Sequence, residues 1–486
     1  GYDDQLQTQG TNNVNYGNLF NINRGTFWNP NYNTRTRHFA EISNFGLIRD
    51  ELHRFASGYA NLTYTYQKKY NLFGSVRKDY ADLFGGDEKY RGRPLWSVGA
   101  SWIASSENFL KQFNSINYLK LRASYGLTGN IRNVTALLAA TTGINNTTQL
   151  PNATVINPPN PQLRWEKTAT TNIGIDFTMF NNRLSGTIDW YRRKGTDLFS
   201  LKRLDPSSGF TSLTINNASM VNNGFEFNLG YEWVKPTSID GFQWSSSLLG
   251  AVNNNKITDV DELTRNPYTL ASGGSYKVGY PVRSIYSFQF AGLNTSGVPQ
   301  WFDAMGNKTI AALGPNDADA IVFSGDSDPK VNLSFNNDLS FKGFSLSIFA
   351  VYYGGNYYRA RPVPRSYPYA GYGPLPSYLL NSWTPTKTDT DIPGSGQYYM
   401  PAMHNQYDFS DNLVRQADFI KVRNIVLGYD LPQSVASKLK STRIRLRLQV
   451  NNPKSLWTKQ TDVYTDPETG GAQIPTSFVF GLNANF

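Results

Sequence analysis

The sequence contains no cysteine and only three histidines. The lack of cysteine excludes disulfides, cysteine-ligated zinc and thiol catalysis. The histidines, His38, His53 and His404, do not have the spacing of a metal site, so we expect structural roles for them. There is also no G-x-S-x-G elbow, no P-loop and no HExxH helix, and nothing selects a carboxylate pair among the 36 acidic residues. The sequence therefore does not predict an enzyme.

Long apolar runs are missing too, because no segment approaches the run of about 18 apolar residues that a transmembrane helix needs. The mean hydropathy is -0.46. In a membrane-spanning β-strand the lipid-facing and lumen-facing residues alternate, so even such a strand has a neutral average hydropathy. The hydropathy therefore leaves a membrane barrel open as a fold class.

What the chain does contain favours strands. Of its 486 residues, 39% are hydrophobic, 17% are charged and 14% are aromatic, with abundant Gly, Asn, Ser and Thr. This balance indicates a large folded all-β protein rather than a disordered chain. The formal charge is +10, but the basic residues are dispersed and no RNA- or DNA-binding motif is present, so nucleic-acid binding is not predicted.

Alternating apolar and polar residues define the strands. In residues 477–486 the apolar side chains recur at every second position and end at Phe486. Arg443, Arg445 and Arg447 alternate with apolar residues in the same way. A buried strand of a soluble protein would need many paired acids to hold this row, whereas a watery barrel lumen accommodates it. We therefore predict that the three arginines face a lumen, where they steer anionic cargo or pair with acids of a plug or a neighbouring wall.

About fourteen strands can be recognised by this criterion. They are expected at 54–66, 70–80, 95–104, 119–129, 173–179, 184–190, 223–234, 242–254, 280–293, 331–339, 344–350, 417–431, 443–450 and 477–486. Residues 1–53 are expected to form an extracellular loop and a lead-in, and residues 54–486 the C-terminal part of a transmembrane β-barrel.

Short connections (67–69, 181–182, 235–241 and 342–343) alternate with long polar ones (130–163, 201–221 and 355–414), as periplasmic turns and extracellular loops do in outer-membrane barrels. Successive strands of an antiparallel barrel alternate in direction. Counting forward from the turn at 67–69 and backward from Phe486 gives the strands at 280 and 331 the same direction. One further strand is therefore expected between them, in 257–279 or 294–330. About fifteen strands then belong to a larger plugged barrel of about 22. Because the chain opens with neither an initiator Met nor a signal peptide, we expect the N-terminal strands and the plug to precede it.

Several short motifs follow one another along the chain: NPQLRWEK (160–167), TNIGIDF (171–177), KGTDL (194–198), NGFE (223–226), VGYPV (278–282), DPK (328–330), DFIKVRNI (418–425), DPE (466–468) and FGLN (480–483). These motifs and their order resemble those of SusC/RagA-type TonB-dependent transporters. The terminal Phe486 resembles the barrel-assembly signal of outer-membrane proteins. The resemblance implies import of bulky oligosaccharides or peptides across the bacterial outer membrane. It also implies a SusD-like surface lipoprotein as partner, and coupling to the TonB complex through an N-terminal region outside this chain.

Candidate binding residues lie mainly in the loop 359–399, where arginine and aromatic side chains suit contacts with cargo or a capping partner. They are Arg361, Arg365, Tyr367, Tyr369, Tyr372, Tyr398 and Tyr399. Packing of the loop on itself is the simpler interpretation of the same residues. Short acidic clusters that include Asp326, Asp328, Asp389 and Asp391 lack EF-hand spacing, so solvated turns are favoured over Ca²⁺ sites and no cofactor is expected.

Tryptophans near the strand ends predict an aromatic girdle at the lipid interface. They are Trp96, Trp102, Trp190, Trp233 and Trp244. Two other functions stay open at this point. One is a passive or structural outer-membrane barrel without TonB coupling. The other is a secreted all-β carbohydrate-active protein, which would need a closed apolar core and either a carboxylate pair or an aromatic platform.

Overall fold

The computed structural model describes residues 2–10, 48–81, 92–131, 139–145, 147–238, 240–261, 265–273, 276–315, 317–360, 377–394, 406–453, 456–458, 466–469 and 474–486. Strands dominate these residues. In chain order they are β1 Tyr2–Gly10, β2 Ile48–Tyr66, β3 Tyr70–Ala81, β4 Gly92–Ile103, β5 Ile116–Asn130, β6 Ala139–Ile144, β7 Pro151–Asn157, β8 Glu166–Met179, β9 Leu184–Arg203, β10 Ser212–Val234, β11 Gln243–Asp259, β12 Ser284–Phe288, β13 Phe290–Leu293, β14 Pro299–Phe302, β15 Lys308–Thr309, β16 Ile321–Asp326, β17 Val331–Phe341, β18 Phe344–Gly354, β19 Tyr357–Arg359, β20 Val414–Gln416, β21 Phe419–Asp430, β22 Arg443–Asn451, β23 Leu456–Thr458 and β24 Ser477–Asn485.

Short α-helices accompany the strands in the part of the chain that the structure describes, among them α1 Asn108–Lys111, α2 Pro267–Ala271 and α3 Gln433–Ala436. Within the described ranges, no helix combines the length and the apolar character required to cross a membrane.

A 15-stranded sheet, here called the main sheet, contains most of the strands. Its order is β1-β2-β3-β4-β5-β8-β9-β10-β11-β17-β18-β21-β22-β24, and β23 pairs with β21 beyond the end of β22. Neighbours along this path are thus successive long strands of the chain. The predicted number of strands is confirmed, although two members differ from the prediction, as described below.

The chain divides into two compact units. Residues 1–59, 77–94 and 133–162 form the first, in which β1 pairs with β2 and β6 pairs with β7, both antiparallel. Both β1 and the start of β2 lie within residues 1–53, which were expected to be a loop and a lead-in. Residues 60–76, 95–132 and 163–486 form the second unit, which holds all the features discussed from here on.

The expectation of a hidden strand between 257 and 330 is wrong. β11 pairs directly with β17, from Val252↔Val331 to Gln243↔Ser340, so no strand lies between them. The predicted strand at 280–293 is instead divided between β12 and β13, which belong to small separate sheets. Its alternation is real, but Ser287 and Phe288 are both 0% exposed, so both of its faces are covered by protein. Removing this strand from the count restores the alternation of strand directions.

The long loop expected at 201–221 is also wrong, because β9 continues to Arg203 and β10 starts at Ser212. These strands have 20 and 23 residues, about twice the 9–11 that a membrane-spanning strand needs. Their pairing continues past two register shifts, between Asn216 and Ala218 and between Ala218 and Met220. The two strands therefore extend well beyond the length that a bilayer requires.

Each face of the main sheet has its own chemistry, as the alternation predicts. On β22 and β24, Leu446 pairs with Leu482 and Leu448 with Phe480, and Leu482 and Phe480 are 70% and 79% exposed. On the opposite face Arg445 pairs with Asn483. We call these the apolar face and the polar face.

The connections in the second unit differ in length at the two edges of the main sheet. Those at 260–330, 355–418 and 452–476 leave one edge, called here the long-loop edge. The turns at 67–69, 180–183 and 342–343 lie at the other, called the short-turn edge. Because antiparallel strands pair here in chain order, successive connections lie alternately at the two edges.

Candidate functional site

Two of the long connections fold together beyond the long-loop edge. The described residues within 265–326 and 357–417 form what we call the loop subdomain. Phe288 N donates to Phe409 O at 3.0 Å, and Phe290 N donates to Asp411 Oδ1 at 2.9 Å, so bonds join the two connections. Phe288 and Trp301 are 0% and 2% exposed in its apolar core. These connections therefore bury apolar side chains as a soluble protein does.

Arg359, on β19, joins the two connections through its side chain. Its Nη1 donates to Ala271 O at 3.1 Å, and its Nη2 donates to Tyr286 O at 2.7 Å and to Ser287 Oγ at 3.0 Å. Its guanidinium also lies over the Phe409 ring, 5.0 Å from the centroid. Burial lowers the pKa of Arg359 to about 10, which leaves the group charged at neutral pH. Arg359 thus belongs to the interior of the loop subdomain.

A cleft of about 610 Å³ lies where the loop subdomain meets the polar face of β18 and β21, and we call it the loop cleft. Its lining includes Tyr353, Asn356, Tyr357, Arg359, Phe419 and Glu468. The Tyr353 and Phe419 rings stack with centroids 5.3 Å apart and an interplanar angle of 27°. The loop cleft therefore combines aromatic walls with a few polar groups, the composition typical of ligand pockets.

A buried ion-pair cluster fixes one wall of this cleft. Lys421 Nζ lies 2.7 Å from Asp466 Oδ2 and 3.1 Å from Glu468 Oε2, and the Lys421 and Asp466 side chains are 5% and 0% exposed. Arg423 Nη1 also donates to Glu468 Oε2, at 2.8 Å. The Arg423 guanidinium holds the pKa of Glu468 below its usual range, with a further contribution from Lys421. Two of the resembling motifs, DFIKVRNI and DPE, thus meet in this cluster.

A second pair of motifs meets between β8, β9 and β10. Asp197, from KGTDL, pairs with Arg164 Nη2 at 2.7 Å and with Lys167 Nζ at 2.9 Å, both from NPQLRWEK. Asn216 Nδ2 donates to the carbonyls of Arg164 and Asp197, at 2.7 Å each. These contacts join the segment before β8 to β8, β9 and β10. The motifs therefore have a structural role at the long-loop edge.

The polar face carries the predicted arginine row. Arg443 pairs with Asp430 at 2.9 Å, and Arg445 Nη2 donates to Ser345 Oγ at 2.9 Å. Arg447 pairs across the sheet with Gly481, on the same face. The wall pairing offered for this row thus exists for Arg443 and, at 3.8 Å from Asp430 Oδ1, for Arg445.

A separate ion-pair triad on the same face joins three strands. Arg122 on β5 lies 2.7 Å from Asp176 on β8 and 3.0 Å from Asp189 on β9. Two carboxylates thus share one guanidinium, and the three strands are tied together on their polar side.

The other predicted sites have different outcomes. The seven candidate binding residues of the loop 359–399 lie outside the described residues, so their role stays a prediction. Asp326 is 3% exposed and accepts a hydrogen bond from Asp328 N at 3.0 Å. Among the residues that the structure describes, no group of His, Cys, Asp and Glu has the arrangement of a metal site. Phe486 follows β24 and is 87% exposed.

Two of the predicted girdle tryptophans, Trp233 and Trp244, stack near the short-turn edge with centroids 5.3 Å apart. Both belong to the apolar face. Their indole nitrogens donate to Ser246 Oγ at 2.9 Å and to Asn337 Oδ1 at 3.2 Å, respectively. The rings are 49% and 36% exposed, so this pair presents aromatic surface while its polar atoms are satisfied within the sheet.

Comparison with known proteins agrees with this architecture. The family described as TonB dependent receptor-like, beta-barrel matches residues 1–452. The chain belongs to this family. The predicted transmembrane antiparallel β-barrel and the outer-membrane location are thereby confirmed, and the main sheet has the exposed apolar face that such a barrel needs towards lipid.

The chain is 27% identical over 425 residues to TonB-dependent receptor P3 of Formosa agariphila, covering 82% of this chain and 40% of that protein. It is also 27% identical to TonB-dependent receptor SusC of Bacteroides thetaiotaomicron, covering 77% of this chain and 37% of SusC. The structure is similar to that of the RagAB peptide transporter, with a TM-score of 0.74 at 27% identity over 90% of this chain and 48% of that one. The resemblance to SusC and RagA is confirmed, and the chain spans less than half of each of these relatives.

Proposed function

We propose that this chain forms part of the barrel of a TonB-dependent importer that carries bulky nutrients, either oligosaccharides or peptides, across the outer membrane. The observation that carries the proposal is the two-faced main sheet, with an exposed apolar face, a polar face and long connections at one edge. Membership of the TonB-dependent receptor family supports energy coupling, and the similarity to the RagAB peptide transporter supports a bulky cargo. On this proposal Arg443, Arg445 and Arg447 face the lumen.

The test separates active import from a passive barrel. Cells that express the complete protein are given the labelled nutrient with and without an uncoupler of the inner-membrane proton gradient. A TonB-dependent importer stops accumulating the nutrient when the gradient collapses, because its transport step depends on that energy. Uptake that persists at the same rate would instead support a passive barrel.

A secreted carbohydrate-active protein is the less favoured alternative. Such a protein would have to cover its apolar side chains, whereas Phe478, Phe480 and Leu482 on β24 are 64%, 79% and 70% exposed. We further propose that the chain has no catalytic activity and needs no cofactor, in keeping with a family of receptors and transporters. Phe486 is proposed to act as an assembly signal, which its exposure at the end of β24 permits.

We also propose that a SusD-like surface lipoprotein works with this barrel, and that the seven residues of the loop 359–399 contact either that lipoprotein or the cargo. Deleting residues 359–399 would be a poor test, because it removes Arg359 and its bonds to Ala271, Tyr286 and Ser287. Replacing the seven side chains by serine leaves those bonds in place. We expect loss of lipoprotein co-purification or of cargo uptake with normal barrel assembly. Normal values of both would exclude these seven residues as the contact.

A further inference from the structure

The apolar face of β9, β10 and β11 has a clear margin towards the long-loop edge. On this face Phe225 of β10 pairs with Trp190 of β9 and with Val252 of β11. Phe225 and Val252 are 52% and 39% exposed. The apolar and aromatic side chains of β10 on this face extend from Trp233 to Phe225, about nine residues, which is the length that a membrane-spanning strand needs. The row of Phe225 is therefore the outer margin of the apolar band on these strands.

Basic side chains occupy the next two rows of the same face. Arg192 of β9 lies in the first row beyond Phe225. In the second row, Val221 of β10 pairs with Lys194 of β9 and with Lys256 of β11. Neighbouring strands are about 4.8 Å apart, so the two lysines start about 10 Å from each other, and their long side chains can reach one shared group. We call Arg192, Lys194 and Lys256 the basic patch.

The basic patch carries its charge without a counter-ion. All three side chains are exposed, and none of them forms an ion pair or a side-chain hydrogen bond with a residue that the structure describes. Lys167 of β8 differs, because its Nζ lies 2.9 Å from Asp197 Oδ2. Like charges placed close together repel each other, so an anion that binds among them is favoured.

Uncharged donors lie beside the basic patch. Asn223 and Asn254 pair with each other in the row of Arg192, and both are exposed. Their amide groups add N–H donors next to the cationic side chains. Asp259 ends β11 beyond the patch, and no ion pair between it and Lys256 exists in the described part of the chain. The patch therefore suits a ligand that is both negatively charged and rich in hydrogen-bond acceptors, and a phosphate group is both.

The position of the patch selects the source of the phosphate. The long-loop edge is the outer side of an outer-membrane barrel, and lipid phosphates lie in the interfacial layer at the margin of the apolar band, where tryptophan rings such as that of Trp190 also lie. A lipid bound there places its acyl chains on Phe225 and Val252, which a soluble anion cannot do. We propose that the basic patch binds the phosphate of an outer-leaflet lipid. This inference does not depend on what the barrel transports.

The test measures lipid binding to the complete protein in a non-ionic detergent by native mass spectrometry. The probes are monophosphoryl lipid A, the same lipid A without its phosphate, and inorganic phosphate as the soluble anion. One basic side chain near an anionic lipid strengthens binding by about fivefold, so three give about a hundredfold. We therefore expect the phosphorylated lipid to bind about a hundredfold more tightly than the dephosphorylated one. Lys194→Gln should weaken its binding by about fivefold, and the triple variant Arg192→Gln, Lys194→Gln and Lys256→Gln by about a hundredfold.

A control variant removes the same charge at the opposite edge of the main sheet. Lys68, Lys438 and Lys440 are exposed in connections at the short-turn edge, and their combined replacement by glutamine should leave lipid binding unchanged. An equal loss of binding in this control would mean that only the net charge of the protein matters, and it would overturn the inference. Equal binding of the two lipids, or a triple basic-patch variant with normal affinity, would overturn it as well.

Two further outcomes would assign the patch to another ligand and contradict the proposal. One is inorganic phosphate that binds as tightly as the phosphorylated lipid. The other is a triple basic-patch variant that keeps its lipid affinity but loses a co-purifying surface lipoprotein. If the triple variant fails to assemble, the unmodified protein still decides, because charge screening should reduce the preference for the phosphorylated lipid steeply between about 0.05 and 0.5 M salt. A preference that salt does not change would contradict recognition of the phosphate by charge.

Discussion

Phe480 and Phe288 are the same residue type in opposite environments. Phe480, in the main sheet, is 79% exposed, whereas Phe288, in the loop subdomain, is 0% exposed. Both lie in strands whose apolar residues alternate with polar ones. In the main sheet the apolar side chains are exposed on the face that contacts lipid, and in the loop subdomain they pack against each other. One chain thus stabilises apolar side chains in two ways, and the local pattern of residues is the same for both.

The largest expected effect on stability comes from a buried ion pair at the place where the main sheet meets the loop cleft. Lys421 and Asp466 are almost fully buried at the loop cleft, and they tie the 452–476 connection to β21. Lys421→Ala leaves the Asp466 carboxylate buried and unpaired, so we expect the free energy of unfolding to fall by about 3–5 kcal/mol. Chemical unfolding in detergent micelles measures this loss. Lys438→Ala, at an exposed position, is the control and should change little.

A double variant refines this prediction. Combining Lys421→Met with Asp466→Leu removes both charges and should recover most of the lost stability, because an apolar pair can replace a buried ion pair at little cost. If the single and double variants are equally unstable, the lysine acts through packing rather than through its charge.

The second prediction concerns exposed apolar residues in the two regions. Phe480 and Met305 are 79% and 89% exposed, but Phe480 lies midway along β24 on the lipid-facing side, and Met305 lies in a turn of the loop subdomain. Phe480→Arg should destabilise the barrel in lipid vesicles by about 2–4 kcal/mol, the cost of a cation near the bilayer midplane. Met305→Arg should change stability by less than about 0.5 kcal/mol. Similar losses for the two variants would refute the lipid-facing assignment.

The third prediction concerns close packing on the polar face. The Tyr191 ring packs on Gly224, where an added Cβ would lie 2.5 Å from Tyr191 Oη, and that hydroxyl donates to Asn253 Oδ1 at 3.0 Å. Gly224→Ala should therefore cost about 1–3 kcal/mol, the usual effect of overpacking. Gly74→Ala on β3 is the matched control, because a Cβ there meets nothing within 4 Å. Equal unfolding free energies for the two variants would show that the sheet accommodates an added Cβ beside Val252 O and Tyr191 Oη without overpacking.

The sequence predicts the main sheet well because each of its strands repeats a local rule. Arg443, Arg445 and Arg447 alternate with apolar residues, and the register places them on the polar face opposite Leu446 and Leu448. The same rule fails at β12, where Tyr286 and Phe288 also alternate with polar residues. Alternating apolar and polar residues indicate that the two faces of a strand differ, but they do not indicate whether lipid or protein covers the apolar face.

The candidate sites were harder to predict, for a different reason. Lys421 and Asp466 lie in motifs that carry the family resemblance, but only the fold brings them together across 45 residues of chain. The basic patch depends on the register of three strands, so no local pattern identifies it. The signal that exists is weak: Arg192 and Lys194 continue the alternation of β9 beyond Trp190.

The last prediction has the smallest expected effect. It tests whether the buried Asp326 carboxylate of the loop subdomain lowers the stability of the fold. Burial, with a smaller contribution from the nearby Asp328 carboxylate, raises the pKa of Asp326 above its usual value. A carboxyl group whose pKa is raised in the folded state contributes stability that is fully present below its unfolded pKa and is lost as the pH rises through the folded pKa. Above its folded-state pKa, the ionised Asp326 therefore lowers the stability of the fold. Asp326→Asn keeps an acceptor for Asp328 N and removes the charge.

We expect Asp326→Asn to unfold at a higher temperature than the unmodified protein at pH 7, and the difference to shrink as the pH falls towards 4. Asp319→Asn is the control, because its carboxylate is 73% exposed and pairs with Arg265 at the surface. Thermal unfolding in detergent at several pH values measures both variants. A gain that is the same at every pH would mean that the asparagine improves packing rather than removing an unfavourable charge. Arg443 and Arg445 of β22 are exposed on the polar face, so a pH-dependent gain at Asp326 would be a property of the soluble type of core in the loop subdomain.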